Sequence, residues 1–364
     1  MFPKIFIAPA SVVLPLLFAG CASLPADLGR GEVQTQLQAR GLAAAPHTDA
    51  RAFTHEVFAA PLSLDAAIQL ALMRSPELRA QAAQLGIAAA EVYEAGRLSN
   101  PLLSIARLDS DEAARPQLNL GIVFNFTELL LLRARGRIAD AEFATAQAEL
   151  GAQTLALAAE VERAYRSVAA AQQRAELQAQ LADGSEAGAE LAQRFYAAGN
   201  LKRADLALEQ ATAAEYRLAV DATASELAQA RAALLRVIGV PASEAGTQWT
   251  LAEALAVPAD ADPDVDVLLP LARETRLDLR AARLYADAVA ARYGLTRRTA
   301  WLGEIELGAE RERETDGEIL AGPTLGITLP LFDWGRGRKA RAAAELQAAE
   351  AALAARELDV EHEL

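Results

Sequence analysis

A stretch without proline, from about residue 127 to 198, constrains the fold of this chain more than any other feature. Its apolar and small residues recur in heptads, the pattern of a coiled-coil seam. At 1.5 Å per residue such a helix is about 100 Å long, and it cannot bury its own stripe. Partner helices are therefore required, and they must come close because the seam is rich in alanine. The seam residues are Phe143, Leu150, Leu157, Ala164 and Ala171, together with Thr154, Val161, Val168 and Ala175.

Beyond Leu177 the phase of the heptads shifts by one residue. Glycine costs about 1 kcal/mol relative to alanine inside a helix, so two glycines on a seam need a reason. We expect Gly184 and Gly188 to allow a close approach of a second helix. The predicted seam of this second part comprises Leu177, Leu181, Gly184, Gly188, Leu191 and Phe195.

The composition favours helix packing over a thick globular core. Hydrophobic residues make up 52% of the 364 residues, but much of that share is alanine, and aromatic residues are only 5%. The formal net charge of −14 disfavours nucleic acid as a partner, since phosphate contacts need clustered Lys and Arg. After the N-terminal segment no run of 18 apolar residues occurs, so a membrane crossing would have to use strands.

The N-terminus predicts export. Lys4 precedes an apolar run from residue 5 to 19 that is typical of a secretory signal, which we place at residues 1–20. The signal ends in Phe-Ala-Gly-Cys and resembles a bacterial lipobox, which predicts lipidation of Cys21; the alternative is a free thiol. A polar tether follows at residues 21–60. By comparison with such lipoproteins, Ala22 favours the outer membrane, because it is not the aspartate of inner-membrane retention.

The next part of the chain reads as helices and two short strands. A helix is predicted over residues 64–98, where Ser-Asn-Pro ends it. Strands are predicted at 102–108 and 117–126, the second with strict alternation. The long helix comes next, and Ala-Gly-Asn at 198–200 predicts a turn into a second helix over 201–238. The acidic segment 242–264 is expected to be irregular, with two helical turns around 251–255.

An internal repeat follows. Leu277 to Ala281 repeats Pro76 to Ala80 at an offset of 201 residues, and Ala344 onwards repeats Ala141 onwards at 203. Strands are predicted again at 302–311 and 319–331. The repeats are placed at residues 61–264 and 265–364. Leu364 corresponds to Val161 in the middle of the long helix, so we expect about 80 residues of the second copy to be missing from this sequence.

With this pattern the mature chain resembles the outer-membrane efflux protein family of the TolC type. The resemblance rests on short motifs in a fixed order. They are Leu62-Ser63-Leu64-Asp65-Ala66-Ala67, Ser75-Pro76-Glu77-Leu78, Ser99-Asn100-Pro101, Phe195-Tyr196-Ala197-Ala198-Gly199 with Asp205, and Leu329-Pro330-Leu331-Phe332-Asp333-Trp334-Gly335.

The resemblance implies a mainly α fold with a small β part. Long antiparallel coiled-coil helices would form an α-barrel in the periplasm, and four strands per protomer would contribute to a twelve-stranded transmembrane barrel shared by a homotrimer. It also implies a passive exit duct that works with a periplasmic adaptor protein and an inner-membrane pump. The expected place is the outer membrane, with a lipid anchor. The alternative is a lipid-anchored periplasmic coiled-coil scaffold without a channel, for which strands have no use.

The resemblance further implies that the first helix turn contacts the adaptor. An ordinary solvated turn is the alternative. The residues carried over to this adaptor-contact tip are Gly199, Asn200, Leu201, Lys202, Arg203 and Asp205.

The sequence contains one enzyme-like pattern, a glycine-rich turn. Gly335 to Ala340 fits the G-x-G-x-x-A turn of a dinucleotide fold, but the preceding strand alternates and carries Pro330, unlike a buried parallel strand. His47, His55 and His362 lie far apart, so no metal site is predicted. The sequence therefore predicts neither an enzyme nor a cofactor.

Overall fold

A computed structural model describes residues 26–43, 49–109, 115–246, 249–255 and 264–363. The signal segment and Cys21 lie outside the described residues. The helices are α1 (Arg30–Gln38), α2 (Ala50–Phe58), α3 (Leu64–Arg74), α4 (Pro76–Ala95), α5 (Phe126–Ala197), α6 (Arg203–Val237), α7 (Ala242–Ala245), α8 (Val265–Thr275), α9 (Leu277–Thr299) and α10 (Arg336–His362). The strands are β1 (Leu102–Leu108), β2 (Gln117–Asn125), β3 (Ile305–Arg313) and β4 (Ile319–Ile327). Among the described helices, none is both long and apolar enough to span a bilayer.

Two compact units make up the chain. One contains the described residues within 1–31, 83–148 and 273–364 and carries the four strands; we call it the strand unit. The other contains residues 32–82 and 149–272 and carries α6 with the C-terminal two thirds of α5; we call it the helical unit. The helix α5 is 72 residues long and contributes to both.

The first part of the predicted seam of α5 is confirmed. None of its nine residues is exposed, and Val161 and Val168 are fully buried. In α6, Leu206, Ala213 and Leu234 are spaced by multiples of seven residues, and all three are buried. Small side chains at these positions let the helices approach closely.

The single helix predicted over residues 64–98 is wrong, because the structure contains two helices. Pro76 disfavours a helical conformation of Ser75, which adopts φ −60° and ψ 120°. The Ser75 hydroxyl then accepts a hydrogen bond from the backbone N–H of Leu78 at 3.2 Å, which caps α4. The break recurs at Arg276, which has φ −66° and ψ 125° between α8 and α9 although no proline follows.

The predicted repeat is visible in the element bounds. Helix α8 begins at 265 and α3 at 64, and α9 begins at 277 and α4 at 76, so both pairs are offset by 201 residues. Each pair of helices is followed by a β-hairpin and then by a long helix. The repeat therefore holds at the level of structure beyond the short sequence matches.

The core of the helical unit packs α3 between α5 and α6. Its fully buried side chains include Leu70, Val161, Val168, Leu234 and Ile238. Part of the predicted tether joins this core, since Phe53, Val57 and Phe58 of α2 pack against it. The segment predicted as a tether thus contains two helices, α1 and α2.

A parallel backbone bridge closes the core. The N–H of Leu62 donates to the carbonyl of Thr250, and the N–H of Ala252 donates to the carbonyl of Leu62, both at 2.8 Å. The helical turns predicted around residues 251–255 are therefore wrong. Leu251 instead forms a parallel bridge with Leu62, and the residues that follow it are irregular.

The hydroxyl of Tyr165 fastens this bridge to α5. It lies 2.8 Å from the Leu62 carbonyl oxygen, contacts the Glu253 carboxylate and accepts from the Glu253 backbone N–H at 3.2 Å. Burial raises the pKa of Tyr165 to about 12, and the hydrogen bond to Glu253 acts in the same direction. A tyrosine of the unfolded chain titrates near pH 10. The stabilisation is therefore complete below about pH 10 and is lost as the pH rises towards 12.

We predict that Tyr165→Phe lowers the free energy of unfolding at pH 8 by about 1 kcal/mol, because it removes a buried hydrogen bond. The deficit relative to the wild type should shrink at pH 11, where the wild-type tyrosine begins to favour the unfolded chain. Denaturant unfolding followed by circular dichroism measures both values. Tyr285→Phe, at a side chain that is 47% exposed, is the control and should change little. Equal stability of Tyr165→Phe and the wild type at pH 8 would contradict this role.

Candidate functional site

The four strands form one antiparallel sheet in the order β1-β2-β3-β4. The hairpins predicted at residues 102–126 and 302–331 are both present, with shifted ends. Strand β3 begins at Ile305 and extends to Arg313, while β4 stops at Ile327. The last ladder bond joins the N–H of Thr328 to the carbonyl of Glu304, and Pro330 has no N–H to continue it.

The pairing register sorts the side chains into two faces, because residues directly opposite each other point the same way. The first, which we call the apolar face, is covered by aliphatic side chains and Phe124. It comprises Leu103, Ile105, Arg107, Leu118, Leu120, Ile122, Phe124, Ile305, Leu307, Ala309, Arg311, Arg313, Ile319, Ala321, Pro323, Leu325 and Ile327. Most of its large apolar side chains are exposed, including Ile105 at 71% and Leu325 at 62%.

The opposite face, which we call the polar face, carries acidic, amide and small residues together with four aliphatic side chains, Leu102, Leu108, Val123 and Leu320. Its charged members are Glu306, Glu310 and Glu312, all on β3. The amide of Gln117 donates to the Glu312 carboxylate across the β2–β3 pair. The side-chain oxygen of Asn119, also on this face, has no hydrogen-bond partner among the described residues. This face is therefore the more polar of the two.

Both edges of the sheet are open within the described residues. Strands β1 and β4 each pair with one neighbour only, so each leaves a row of backbone N–H and C=O groups unpaired. Four strands are too few to close a barrel. The sheet therefore has one apolar face and two edges that could pair with further strands.

Exposed aromatic side chains gather where the strands join the helices. Trp301, Phe332 and Trp334 are 54%, 99% and 61% exposed. The junction is fixed by Gly335, which has φ +71° and whose N–H donates to the Asp333 carboxylate at 2.7 Å. Here β4 pairs antiparallel with β3. The Gly335 motif therefore does not follow a strand of a parallel sheet, as a dinucleotide turn would.

The predicted tip is a helix turn closed by a Schellman motif. The N–H of Asn200 donates to the Phe195 carbonyl and that of Gly199 to the Tyr196 carbonyl, each at 2.9 Å. Gly199 has φ +78°, which a side chain would strain. Lys202 is the N-cap of α6 and Asp205 lies in its first turn, where it favours the helix dipole. All six tip residues are exposed except Leu201, which is half-buried.

The seam predicted for α5 from Leu177 onwards is wrong by one residue. Leu177, Leu181, Leu191 and Phe195 are 56%, 43%, 51% and 48% exposed, and we call them the exposed stripe. A Cβ at Gly184 would meet nothing within 4 Å, and one at Gly188 only a Glu209 carboxylate oxygen at 3.9 Å. The residues that lose solvent instead lie one position further on. They are Gln178, Ala182, Ser185, Ala189 and Ala192.

Small side chains explain the difference. Alanine and serine at the true seam allow α6 to pack closer than leucine would, so the leucines are left on a neighbouring face. That face has no cover within the described residues, and the glycines lie on it.

Sequence reasoning also missed the charge pattern of β3. The run Glu-Arg-Glu-Arg at 310–313 places glutamates on the polar face and arginines on the apolar face. Alternation of charge sign with period two was the available signal. It was hidden because only apolar residues were counted.

Most of the segment that matches a known family lies in the strand unit. Residues 268–361 match the family model described as Outer membrane efflux protein. The cobalt-zinc-cadmium resistance protein CzcC of Cupriavidus metallidurans is 31% identical over 288 residues, which cover 77% of this chain and 65% of that protein. The chain thus spans just under two thirds of the length of this curated relative.

Solved structures share the fold. The outer membrane protein VceC of Vibrio cholerae aligns with a TM-score of 0.67 at 22% identity, over 82% of this chain and 76% of that one. The open state of the outer membrane channel MtrE of Neisseria gonorrhoeae aligns with a TM-score of 0.60 at 20% identity, over 82% and 69%. At these identities the likeness is one of fold. The family match covers residues 268–361, and the chain as a whole shares the TolC-type fold of these outer-membrane proteins.

Proposed function

We propose that the protein is the outer-membrane duct of a tripartite efflux system and that it works as a homotrimer. One observation carries the proposal, namely a sheet with an apolar face, a polar face and two open edges. In a bilayer unpaired backbone groups are too costly to leave, so the edges must pair with strands of other copies. Three copies supply twelve strands, enough for a barrel with a water-filled interior.

The dimensions and the side chains of the sheet agree with this role. Strands β2, β3 and β4 have nine residues each, which span about 30 Å along the strand and about 25 Å of membrane when tilted. The exposed aromatic residues at the helix junction correspond to an interfacial girdle. The apolar face would meet lipid, and the polar face would line the pore.

The exposed stripe supports assembly through the helices. Its four large side chains recur at heptad spacing on a face that this chain leaves uncovered. A second copy would bury them, and Gly184 and Gly188 on the same face would let its helix approach. The close contact predicted for the glycines would then be between chains.

We predict that Leu181→Glu with Leu191→Glu disrupts the trimer, because it places two charges in an apolar helix contact. Light scattering corrected for bound detergent should give three chains for the wild type and a smaller assembly for the variant. Gln180→Glu, which adds a charge at an exposed neighbouring position, is the control and should stay trimeric. A wild type that is monomeric in several detergents would leave the scaffold as the better account.

The intact mass of the same preparation tests the proposed lipid anchor at Cys21, which should carry acyl groups.

The polar face indicates a preference for cations. Three glutamates on each β3 strand would give the pore a negative potential, which concentrates cations and repels anions. CzcC is named for resistance to cobalt, zinc and cadmium. We therefore propose divalent metal cations as the cargo class of this duct.

We predict that Glu306→Gln with Glu310→Gln lowers the cation-to-anion permeability ratio of single channels in planar bilayers by several-fold. The effect should weaken in high salt, because screening shortens the range of the field. Glu274→Gln, at an exposed position of α8, removes a charge away from the sheet and should leave the ratio unchanged. An unchanged ratio in the double variant would mean that the polar face does not line the pore.

We propose that the tip is the contact surface for the periplasmic adaptor, which in turn connects to the inner-membrane pump. Lys202, Arg203 and Asp205 are exposed charges on a turn whose backbone is fixed by hydrogen bonds. Beside the turn, a groove of about 560 Å³ runs between α5 and α6. Glu186 and Arg217 form an ion pair across it. A rigid turn beside a polar groove suits the tip of a helical hairpin.

We predict that Lys202→Glu with Arg203→Glu abolishes metal resistance conferred by the complete efflux system in cells, since it reverses two charges at the contact. The purified variant should keep the mass of a trimer and the conductance of the wild type, because the tip is remote in sequence from every strand. Arg166→Gln, at an exposed arginine of α5 that pairs with Glu162 away from the groove, is the control. Full resistance in the double variant would remove Lys202 and Arg203 from the adaptor contact.

A further inference from the structure

We propose that the apolar face carries a binding site for a phosphate-bearing lipid, formed by Arg107, Arg311 and Arg313 with the shallow depression beside them. The inference rests on the proposed function, in which this face meets the bilayer. The occupant to which we assign it is an acylated glycolipid with two phosphates, located in the outer leaflet.

The register brings the three arginines together. Arg107 and Arg313 flank Leu118 in one cross-strand row, and Arg311 lies opposite Leu120 in the next row. Strands lie about 4.8 Å apart, so the Cα atoms of Arg107 and Arg313 are about 10 Å apart, and Arg311 is about 7 Å from Arg313. Three long cationic side chains therefore share one small area at the hairpin end of the sheet.

The charges in this area favour an anion. The glutamates of β3 point to the opposite face, and among the described residues Arg311 and Arg313 form no ion pair. Arg107 is paired with Asp109 at 3.1 Å, and both are exposed, so the pair is weak. The turn residues Glu314, Asp316 and Glu318 lie beyond the end of β3 and limit the basic area on that side. Guanidinium groups bind phosphate oxygens in a bidentate fashion, which explains arginine rather than lysine here.

A depression for acyl chains adjoins the arginines. It has a volume of about 530 Å³, and its apolar lining includes Leu103, Leu120, Ile122, Ala309 and Ala321, with Arg311 at its border. It exists because Ala309 and Ala321 are small where neighbouring positions hold leucine and isoleucine. Cationic groups at one end and an apolar depression next to them match an amphiphile, and neither part would suit a free ion or a soluble peptide.

The two ends of the sheet determine which membrane leaflet contains the proposed site. The aromatic girdle lies at the end that joins the helices, whereas the arginines lie at the hairpin end. In the proposed duct the helices project into the periplasm, so the hairpin end is in the outer leaflet. An arginine on a lipid-facing strand is tolerated near the interface, where the side chain reaches the headgroups.

The test is native mass spectrometry of the detergent-purified protein titrated with diphosphorylated lipid A. Arg311→Gln with Arg313→Gln should weaken binding at least tenfold, while Arg163→Gln with Arg236→Gln, which removes the same charge from exposed helix positions, should stay within twofold of the wild type. Ala321→Leu, which fills the depression and keeps every charge, should weaken binding of the acylated lipid severalfold.

Titrations with other phosphate-bearing ligands distinguish a glycolipid from other lipids and from free phosphate. Monophosphorylated lipid A and phosphatidylglycerol should bind more weakly, and inorganic phosphate at the same concentration should not compete. Equal binding by the wild type and the arginine variant would overturn the inference, as would equal binding of uncharged detergent-like lipids. The same spectra report the number of chains. A trimer that binds no lipid A refutes this site alone, whereas the lack of a trimer refutes the proposed duct.

Discussion

Close packing of small side chains along α5 is the constraint on which the helical part depends. Alanine and serine at the seam bring α6 close, and Val161 and Val168 fill the deeper core around α3. Such a seam buries little apolar area per residue, so a hairpin of two helices gains limited stability from it. The bridge at Leu62 and the hydroxyl of Tyr165 add directional contacts where the helices meet the extended segment. What the hairpin leaves exposed, the stripe on α5, is then available to other copies.

The sheet lacks hydrogen-bond partners at its two edges, although its register already separates two different faces. Most strand positions alternate, so the register places the carboxylates and amides on one face and most large aliphatic side chains on the other. Completing the edges and covering the apolar face are separate requirements, met by different partners. In the proposed trimer, other copies of the chain pair with the edges, and lipid covers the face. In this trimer, the helices thus bury their exposed apolar side chains, and the strands complete their edge hydrogen bonds, only when the copies assemble.

The sequence predicted the order of elements well, because proline, glycine and heptads mark their ends. The strand at 102–108 and the turn at Gly199 lie where they were placed. The break at Ser75 was missed although Pro76 signals it, because the apolar pattern continues through it. The seam beyond Leu177 was missed for a different reason. Two stripes that lie one residue apart both satisfy a heptad pattern. The sequence of one chain does not show which of them is covered by its own helical hairpin.

The arrangement of charge on β3 shows how one strand can carry three glutamates without destabilising the sheet. Like charges opposite each other on neighbouring strands are unfavourable. Here Glu310 lies between Gly121 and Gly322, and Glu306 lies between Asn125 and Gly326. The glycines leave room for the carboxylates, and a Cβ at Gly326 would lie 3.3 Å from a Glu306 oxygen. In the proposed trimer the strands β1, β2 and β4, which carry no charged residue on the polar face, would separate the acidic stripes. The negative potential of the pore would then come from three separated stripes, with little repulsion within the barrel wall.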